Sequence, residues 1–170
     1  MTAVVLNTNE KFYENDEFVC FKSDYLSQWF IAPVIRDDNI HFNCCEQEMM
    51  FEKARLFENF DIAIKVLAET DPKNHKALGR EVQGFDKEKW DAVADEVVFQ
   101  ANLKKFSQHP ELKAKLLATG NKIIVECAPY DSVWGNGLNI TDTLATPIAN
   151  WPGKNRLGKA IMRVREAIRE

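Results

Sequence analysis

The sequence predicts an α+β fold, with a single mostly helical domain over residues 1–170 and a small β-sheet. Apolar residues recur at helical spacing in three segments, which begin near Cys45, Asp86 and Arg156. The short apolar run 122–126 is instead typical of a buried strand. The chain has no internal repeat and no low-complexity linker, and its 170 residues suffice for one core that buries about 70% of the unfolded surface.

The elements follow from local patterns. Residues 1–43 carry scattered aromatic residues and favour short strands and turns, with a turn at 37–39 leading into a hairpin strand at 40–42. Met49, Met50 and Ala54 lie on one helical face and predict a helix over 45–58. A short helix should start at Pro72 with Asp71 as its N-cap, and Gly79 and Gly84 should break the chain after it. The remaining predicted elements are helices over 62–67 and 86–106, a helix from His109 to Gly120, a strand over 122–126, a long loop over 130–155 and a helix over 156–168.

The composition excludes several classes of protein. With 45% hydrophobic and 28% charged residues, the chain has the balance of a soluble globular protein. Its formal net charge of −4 argues against non-specific attraction to nucleic acid as the main mode of binding. We expect a cytoplasmic protein without a membrane span, since the sequence has neither a basic leader nor 18 consecutive apolar residues. Its four cysteines should therefore be reduced.

Glu46 and Lys53 are the first candidates for chemistry. They are seven positions apart, about 10.5 Å along a helix, and share the face of Met49, Met50 and Ala54. Burial on an apolar face disfavours the charged form of both groups and prepares them for proton transfer or attack on carbon. Alternatively, both side chains reach solvent or form structural pairs.

Other candidates lie in the late loop. Asp131, Trp134 and Gly135 combine an acid, an aromatic plate and flexible backbone, so Trp134 could stack on a planar base. The alternative is a turn with a packed tryptophan. Trp29 and Trp90 could likewise be packed side chains that bind no ligand. This interpretation is stronger for Trp90, because Trp90 continues the apolar stripe of a core helix.

Two basic segments could bind phosphate. Arg80 follows a glycine, while Asn155 and Arg156 stand at a predicted helix start, where backbone amides point at anions. Solvated arginine side chains are the alternative for both. The only metal candidates are the crowded His41, Cys44 and Cys45, whose spacing does not favour a metal site.

The order of these pieces resembles the NADAR, or YbiA-like, family over nearly the whole chain, in its longer subgroup. The matching motifs are Phe21-x-Ser23, Ser27-Gln28-Trp29, Cys45-Glu46-Gln47-Glu48-Met49-Met50-x-x-Lys53-Ala54, Leu78-Gly79-Arg80, Trp90, Lys105-Phe106-x-Gln108-x-x-x-Leu112, Leu116-Leu117-x-Thr119-Gly120, Val125-Glu126, Asp131-x-x-Trp134-Gly135, Trp151-x-Gly153-x-Asn155-x-Leu157-Gly158 and Val164-Arg165. The chain departs from many members by having Gln47 and Glu48 after the helix glutamate, and by an insert over 138–152.

The resemblance implies an N-glycosidase with an α+β fold. Members act on ribosylamino intermediates of riboflavin synthesis or remove ADP-ribose from guanine in nucleic acid. The family's helix glutamate and lysine fall on Glu46 and Lys53, its middle-helix tryptophan on Trp90, and its late acid and tryptophan on Asp131 and Trp134. We therefore expect Glu46, Lys53 and Asp131 to be catalytic, and a nucleotide or ADP-ribosylated nucleic acid to be the partner.

The substrate-binding set predicted alongside the catalytic residues is Trp29, Arg80, Trp90, Trp134, Gly135, Asn155 and Arg156. No cofactor and no metal is required for this chemistry. The rival function is a non-catalytic module that binds ADP-ribose or another nucleotide. Such a module would keep the pocket and its phosphate contacts but would need neither Glu46 nor Lys53.

Overall fold

The structure is a computed structural model that describes residues 11–169, so both ends of the predicted 1–170 domain lie outside the described residues. In chain order the elements are β1 (Phe12–Glu14), β2 (Phe18–Phe21), β3 (Val34–Ile35), β4 (His41–Phe42), α1 (Cys45–Leu56), α2 (Phe60–Ala68), α3 (Pro72–Arg80), α4 (Lys87–Gln108), α5 (Pro110–Ala118), β5 (Ile123–Glu126), α6 (Ile140–Ala145), a 3₁₀ helix (Ile148–Asn150) and α7 (Arg156–Ala167). The chain divides into two compact units. The middle unit is Gln28–Lys115, and the terminal unit comprises the described parts of Met1–Ser27 and Leu116–Glu170.

The terminal unit is built on a three-stranded sheet in the order β1-β2-β5. β1 and β2 are antiparallel, whereas β2 and β5 are parallel, with Cys20 opposite Val125. α7 packs on β5 and turns an apolar stripe to it, because Leu157, Ile161 and Val164 recur at helical spacing and are fully buried. The sheet and α7 together form the core of this unit.

The middle unit is a set of helices around α1, with a small antiparallel hairpin of β3 and β4. α1 packs against α2, α3 and α4. Local capping sets the helix starts: the Asp71 side chain accepts a hydrogen bond from the Lys73 amide at 2.9 Å, and Asp86 accepts one from the Lys89 amide at 3.3 Å. α1 is therefore the central element of this unit, and it carries both helix candidates for chemistry.

The structure confirms the α+β fold class and most of the predicted elements. The hairpin, the helices at α1 to α5 and α7, and the strand β5 are present, with bounds that differ by a few residues. Two expectations were wrong. Gly79 does not break a helix, because α3 continues through it to Arg80, and the predicted loop 130–155 contains α6 and a 3₁₀ helix.

The missed helix α6 has a physical explanation. It has only six residues, too few to show a helical period, and it depends on a local cap. The Asn139 side chain accepts a hydrogen bond from the Asp142 amide at 2.7 Å. Packing inside the terminal unit also stabilises α6, since Ile140 belongs to a core cluster with Cys20, Val125 and Cys127.

Candidate active site

α1 carries Glu46 in its first turn and Lys53 in its last turn. Glu46 is only 7% exposed, and Lys53 is half-buried. The pKa of Lys53 is lowered from its ordinary value, first by burial and also by the positive charge of Arg80, while the charge of Glu46 opposes this shift. The two side chains therefore interact electrostatically, and they lie on one helix, as the sequence predicted.

The start of α1 is fixed by a buried polar network. The Glu46 amide donates a hydrogen bond of 3.0 Å to the backbone carbonyl of Gln28. The Gln28 side chain accepts one of 2.8 Å from the Asn102 amide group, which also donates to the Val98 carbonyl at 2.9 Å. Because these groups are buried, moving Glu46 would leave polar atoms without partners. The network therefore holds Glu46 in place.

A close approach between α1 and α3 brings Arg80 into the surroundings of Lys53. A Cβ placed on Gly79 would lie 2.1 Å from the Met50 sulfur, so the glycine lets the Met50 side chain of α1 pack directly against the backbone of α3. Arg80 follows Gly79 at the end of α3 and is exposed, and its charge helps to lower the pKa of Lys53. Glu46 and Arg80 thus both act electrostatically on Lys53 within the middle unit.

Phe85 belongs to the same surroundings, although the sequence analysis did not select it. Its ring centroid lies 4.7 Å from Lys53 Nζ and 5.4 Å from the Phe57 ring centroid. Its position between Gly84 and the N-cap Asp86 could have drawn attention to it, because an aromatic residue in a turn has no helical stripe to join. Its contact with Lys53 depends on tertiary structure and leaves no mark in the sequence.

The two tryptophans of the middle unit differ. Trp29 is 42% exposed, with Lys76 Nζ at 6.0 Å from its ring. Trp90 is buried on α4, which is the packing position that its place in a core stripe suggested. Trp29 has an accessible surface for a ligand, and a role in substrate binding stays a prediction for both residues.

The other five predicted site residues lie in the terminal unit. Asp131 forms a turn, since its Oδ1 accepts hydrogen bonds of 2.9 Å from the amides of Val133 and Trp134. Gly135 is enclosed by backbone: an added Cβ would lie 2.9 Å from the Asp131 carbonyl oxygen and 3.0 Å from that of Glu126. The loop is therefore rigidly built, and its acid already holds the turn that presents Trp134.

Asn155 and Arg156 stand at the start of α7 and have identifiable partners. The Asn155 side chain bridges β5, accepting from the Glu126 amide and donating to the Ile124 carbonyl, both at 3.0 Å. The amides of Arg156 and Leu157 donate to loop carbonyls at 3.3 and 3.0 Å. The Arg156 guanidinium carbon lies 4.4 Å from the Trp134 ring centroid. A phosphate here would therefore meet mainly the Arg156 side chain.

The described residues contain no group of three His, Cys, Asp or Glu side chains placed to hold a metal ion. Within residues 11–169, no helix is long and apolar enough to cross a membrane. His41, Cys44 and Cys45, considered above as metal candidates, do not form such a group. Instead Cys44 Sγ lies 3.7 Å from the buried His75 ring, and Cys45 Sγ lies 3.6 Å from Asn102 Oδ1.

Comparison with known proteins confirms the family resemblance. A family model described as NADAR domain matches residues 11–169. An N-glycosidase of Acanthamoeba polyphaga mimivirus is 37% identical over 167 residues, covering 90% of this chain and 97% of that protein. A riboflavin biosynthesis protein of Vibrio vulnificus is 27% identical over 159 residues, covering 94% of this chain and 38% of that protein.

The fold is shared as well. The NMR structure of the Escherichia coli protein YbiA matches with a TM-score of 0.72 and 26% sequence identity, covering 95% of this chain and 90% of that one. The likeness to the viral N-glycosidase, together with the family match, shows that this chain is an enzyme of the N-glycosyl hydrolase type. The chain belongs to the NADAR domain family.

Proposed function

We propose that this N-glycosidase cleaves the bond between a ribose-type sugar carrying phosphate, including ADP-ribose, and a nitrogen base, with Glu46 as acid and base and Lys53 as nucleophile. The observation that carries the proposal is that the half-buried Lys53 has a lowered pKa and stands on the same helix, α1, as the buried Glu46. A lysine attacks carbon only as the neutral amine, and burial increases the fraction of this form near neutral pH.

The steps balance without a cofactor. Glu46 protonates the base nitrogen as its bond to the anomeric carbon breaks, and the bonding electrons stay with the base. The lone pair of the Lys53 amine forms a bond to the anomeric carbon, and an amine proton passes to Glu46. Glu46 gives this proton to the ring oxygen as the bond between that oxygen and the anomeric carbon breaks, which leaves an iminium between Lys53 and the open sugar. Water then adds to the same carbon while Glu46 takes one of its protons and passes it to the nitrogen. The hydroxyl proton returns to Glu46 as the carbonyl forms and the neutral Lys53 amine leaves, so the enzyme is back in its starting state.

Binding groups are proposed from the two units separately. In the middle unit, Trp29 offers an exposed aromatic face, and the exposed Arg80 offers charge for phosphate. In the terminal unit, Trp134 and Arg156 form a stacked pair that suits a base or a phosphate. Asp131, Gly135 and Asn155 support this pair through the turn, the tight backbone and the contact with β5.

Two substrates represent the proposed class. The Vibrio relative is named a riboflavin biosynthesis protein, and the family resemblance makes a ribosylaminopyrimidine phosphate of that synthesis one candidate. The family resemblance equally supports ADP-ribosylated guanine. Both contain a ribose joined to a nitrogen base and both carry phosphate, so the same two groups on α1 would act on either. A cytoplasmic location, where such compounds occur, belongs to the same proposal.

The test is to trap the covalent intermediate. Protein is incubated with either substrate and borohydride, which reduces an imine to a stable secondary amine. We expect one sugar adduct per chain, mapped by peptide mass spectrometry to Lys53, together with release of free base. Lys53→Arg keeps the charge but cannot form the imine, so it should abolish the adduct and most of the turnover.

Lys65→Arg is the matched control, because it makes the same change of lysine to arginine at an exposed position on α2. It should retain both adduct and turnover. Release of base by the wild type without any adduct would exclude the covalent step and favour direct attack by water. Binding of both compounds with no release of base would instead favour the non-catalytic nucleotide-binding module.

A further inference from the structure

We propose that the face of the Phe85 ring stabilises the positive charge that forms on Lys53 Nζ and the attached anomeric carbon, which makes Phe85 a catalytic residue. This inference rests on the proposed function, because it requires Lys53 to become an iminium. It assigns a role to a residue that the sequence analysis passed over, and it concerns the middle unit alone.

The geometry is that of a cation–π contact. Lys53 Nζ lies 4.7 Å from the centroid of the Phe85 ring, within the range of about 6 Å over which a ring attracts a cation. The positive charge of an iminium is shared between Nζ and the attached carbon, so the charge centre at Nζ stays within the range of the ring. Phe85 is 46% exposed, which leaves part of its surface open to a ligand.

The ring is held in place from both sides along the chain. Gln83 is joined to Asn59 by two hydrogen bonds of 3.0 Å, one in each direction between backbone and side-chain amide. Gly84 then takes φ +72°, a conformation that favours glycine, and turns the chain toward α4. Asp86 caps α4 directly after Phe85. These contacts fix the backbone on each side of the ring before any ligand binds.

Phe57 supports the ring itself. The two ring planes are inclined at 59° with centroids 5.4 Å apart, a tilted arrangement at a centroid distance typical of favourable aromatic pairs. Phe57 stands at the end of α1, one turn after Lys53, so the helix that positions the nucleophile also positions this support. Lys89 Nζ lies 5.7 Å from the Phe57 ring centroid. An exposed aromatic residue built in this way is suited to a fixed electrostatic task.

The contact acts differently on the two states of Lys53. The attacking form of Lys53 is the neutral amine, which the ring attracts only weakly, whereas the iminium carries a full positive charge. An interaction that strengthens as charge develops lowers the barrier, while one that is equal in both states does not. The same ring also favours the resting ammonium form, so it should raise the pH at which the amine becomes available.

A series of fluorinated phenylalanines at position 85 tests this. Replacing Phe85 by 4-fluoro-, 3,5-difluoro- and 3,4,5-trifluorophenylalanine withdraws electrons from the ring while nearly preserving its shape. With ADP-ribosylated guanosine as substrate, we expect kcat to fall stepwise, by on the order of tenfold across the series. The acidic limb of the kcat/KM profile should move to lower pH, because a weaker ring stabilises the ammonium form less.

The same series at Phe60 is the control, since this phenylalanine on α2 is 59% exposed. It should show no trend, and circular dichroism and thermal melting should be unchanged for both series. If the wild type turns over and forms the Lys53 adduct while the Phe85 series stays flat in kcat and in pH profile, this inference is wrong and the proposed function stands. If the wild type forms no adduct on Lys53, both are wrong.

Discussion

Gly158→Ala should destabilise the protein, although alanine favours helix more than glycine does. Gly158 lies in the first turn of α7, against β5. An added Cβ would lie 2.2 Å from the Ile124 carbonyl oxygen and within 2.4 to 2.5 Å of the side-chain amide atoms of Asn155. Backbone cannot rotate away from such an overlap, so we expect α7 to move off β5 and weaken both hydrogen bonds of Asn155.

The magnitude follows from three contributions. Overpacking of a filled site costs about 1–3 kcal/mol. The two buried hydrogen bonds of Asn155, each of 3.0 Å, contribute about 0.5–1.5 kcal/mol apiece. The higher helix propensity of alanine offsets up to about 1 kcal/mol of this loss in stability. Taken together, these ranges lower the free energy of unfolding by about 1–6 kcal/mol. In a chain of this size, Tm falls by roughly 3 °C per kcal/mol.

Urea unfolding of four proteins would measure this: wild type, Gly158→Ala, Asn155→Ala and the double variant. Asn155→Ala removes the hydrogen bonds without adding bulk. It also removes the side-chain amide nitrogen and oxygen that the Cβ added at position 158 would overlap. The two effects should therefore be less than additive, while the overlap with Ile124 keeps the double variant below Asn155→Ala. A Gly158→Ala protein as stable as the wild type would refute the close contact between α7 and β5.

The remaining predictions concern the two groups of candidate site residues. Glu46→Gln should preserve folding and ligand binding but lower turnover by at least ~100-fold, as measured by release of free base, because the amide can neither give nor take the proton; near-normal turnover would remove Glu46 from the mechanism. Trp134→Ala should weaken binding of ADP-ribose by roughly 1–3 kcal/mol in a calorimetric titration if a base stacks there. Unchanged affinity, with no change in tryptophan fluorescence when the wild type is saturated, would leave Trp134 a packing residue.

The elements with local causes could be predicted from the sequence. Proline after Asp71 marked the start of α3, and the apolar spacing around Trp90 marked α4. The same spacing placed Glu46 and Lys53 on one helix, and the structure shows that they interact. Each of these signals depends on residues within a few positions of one another, which a linear sequence displays directly.

The parts that depend on tertiary contacts could not be predicted. The pattern assigned one apolar face to α1, yet the helix is buried continuously from Cys45 to Phe51 because three other helices surround it. Asn155 looked like a phosphate ligand at a helix start, but its side chain binds the backbone of β5, some thirty residues away in sequence. Polar side chains can serve remote backbone as readily as ligands, and sequence alone does not distinguish these uses.

The placement of Glu46 and Lys53, the proposed catalytic pair, on α1 imposes its own electrostatic constraint. The helix dipole favours a carboxylate in the first turn, where Glu46 lies, and an ammonium in the last turn, where Lys53 lies, by about 0.3–1 kcal/mol each. The helix alone would therefore keep Lys53 charged and inert as a nucleophile. Burial and the charge of Arg80 act in the opposite direction and, against the charge of Glu46, lower the pKa of Lys53. If Lys53 is the nucleophile proposed above, the packing of α3 on α1 at Gly79, which places Arg80 at the end of α3, contributes to lowering its pKa.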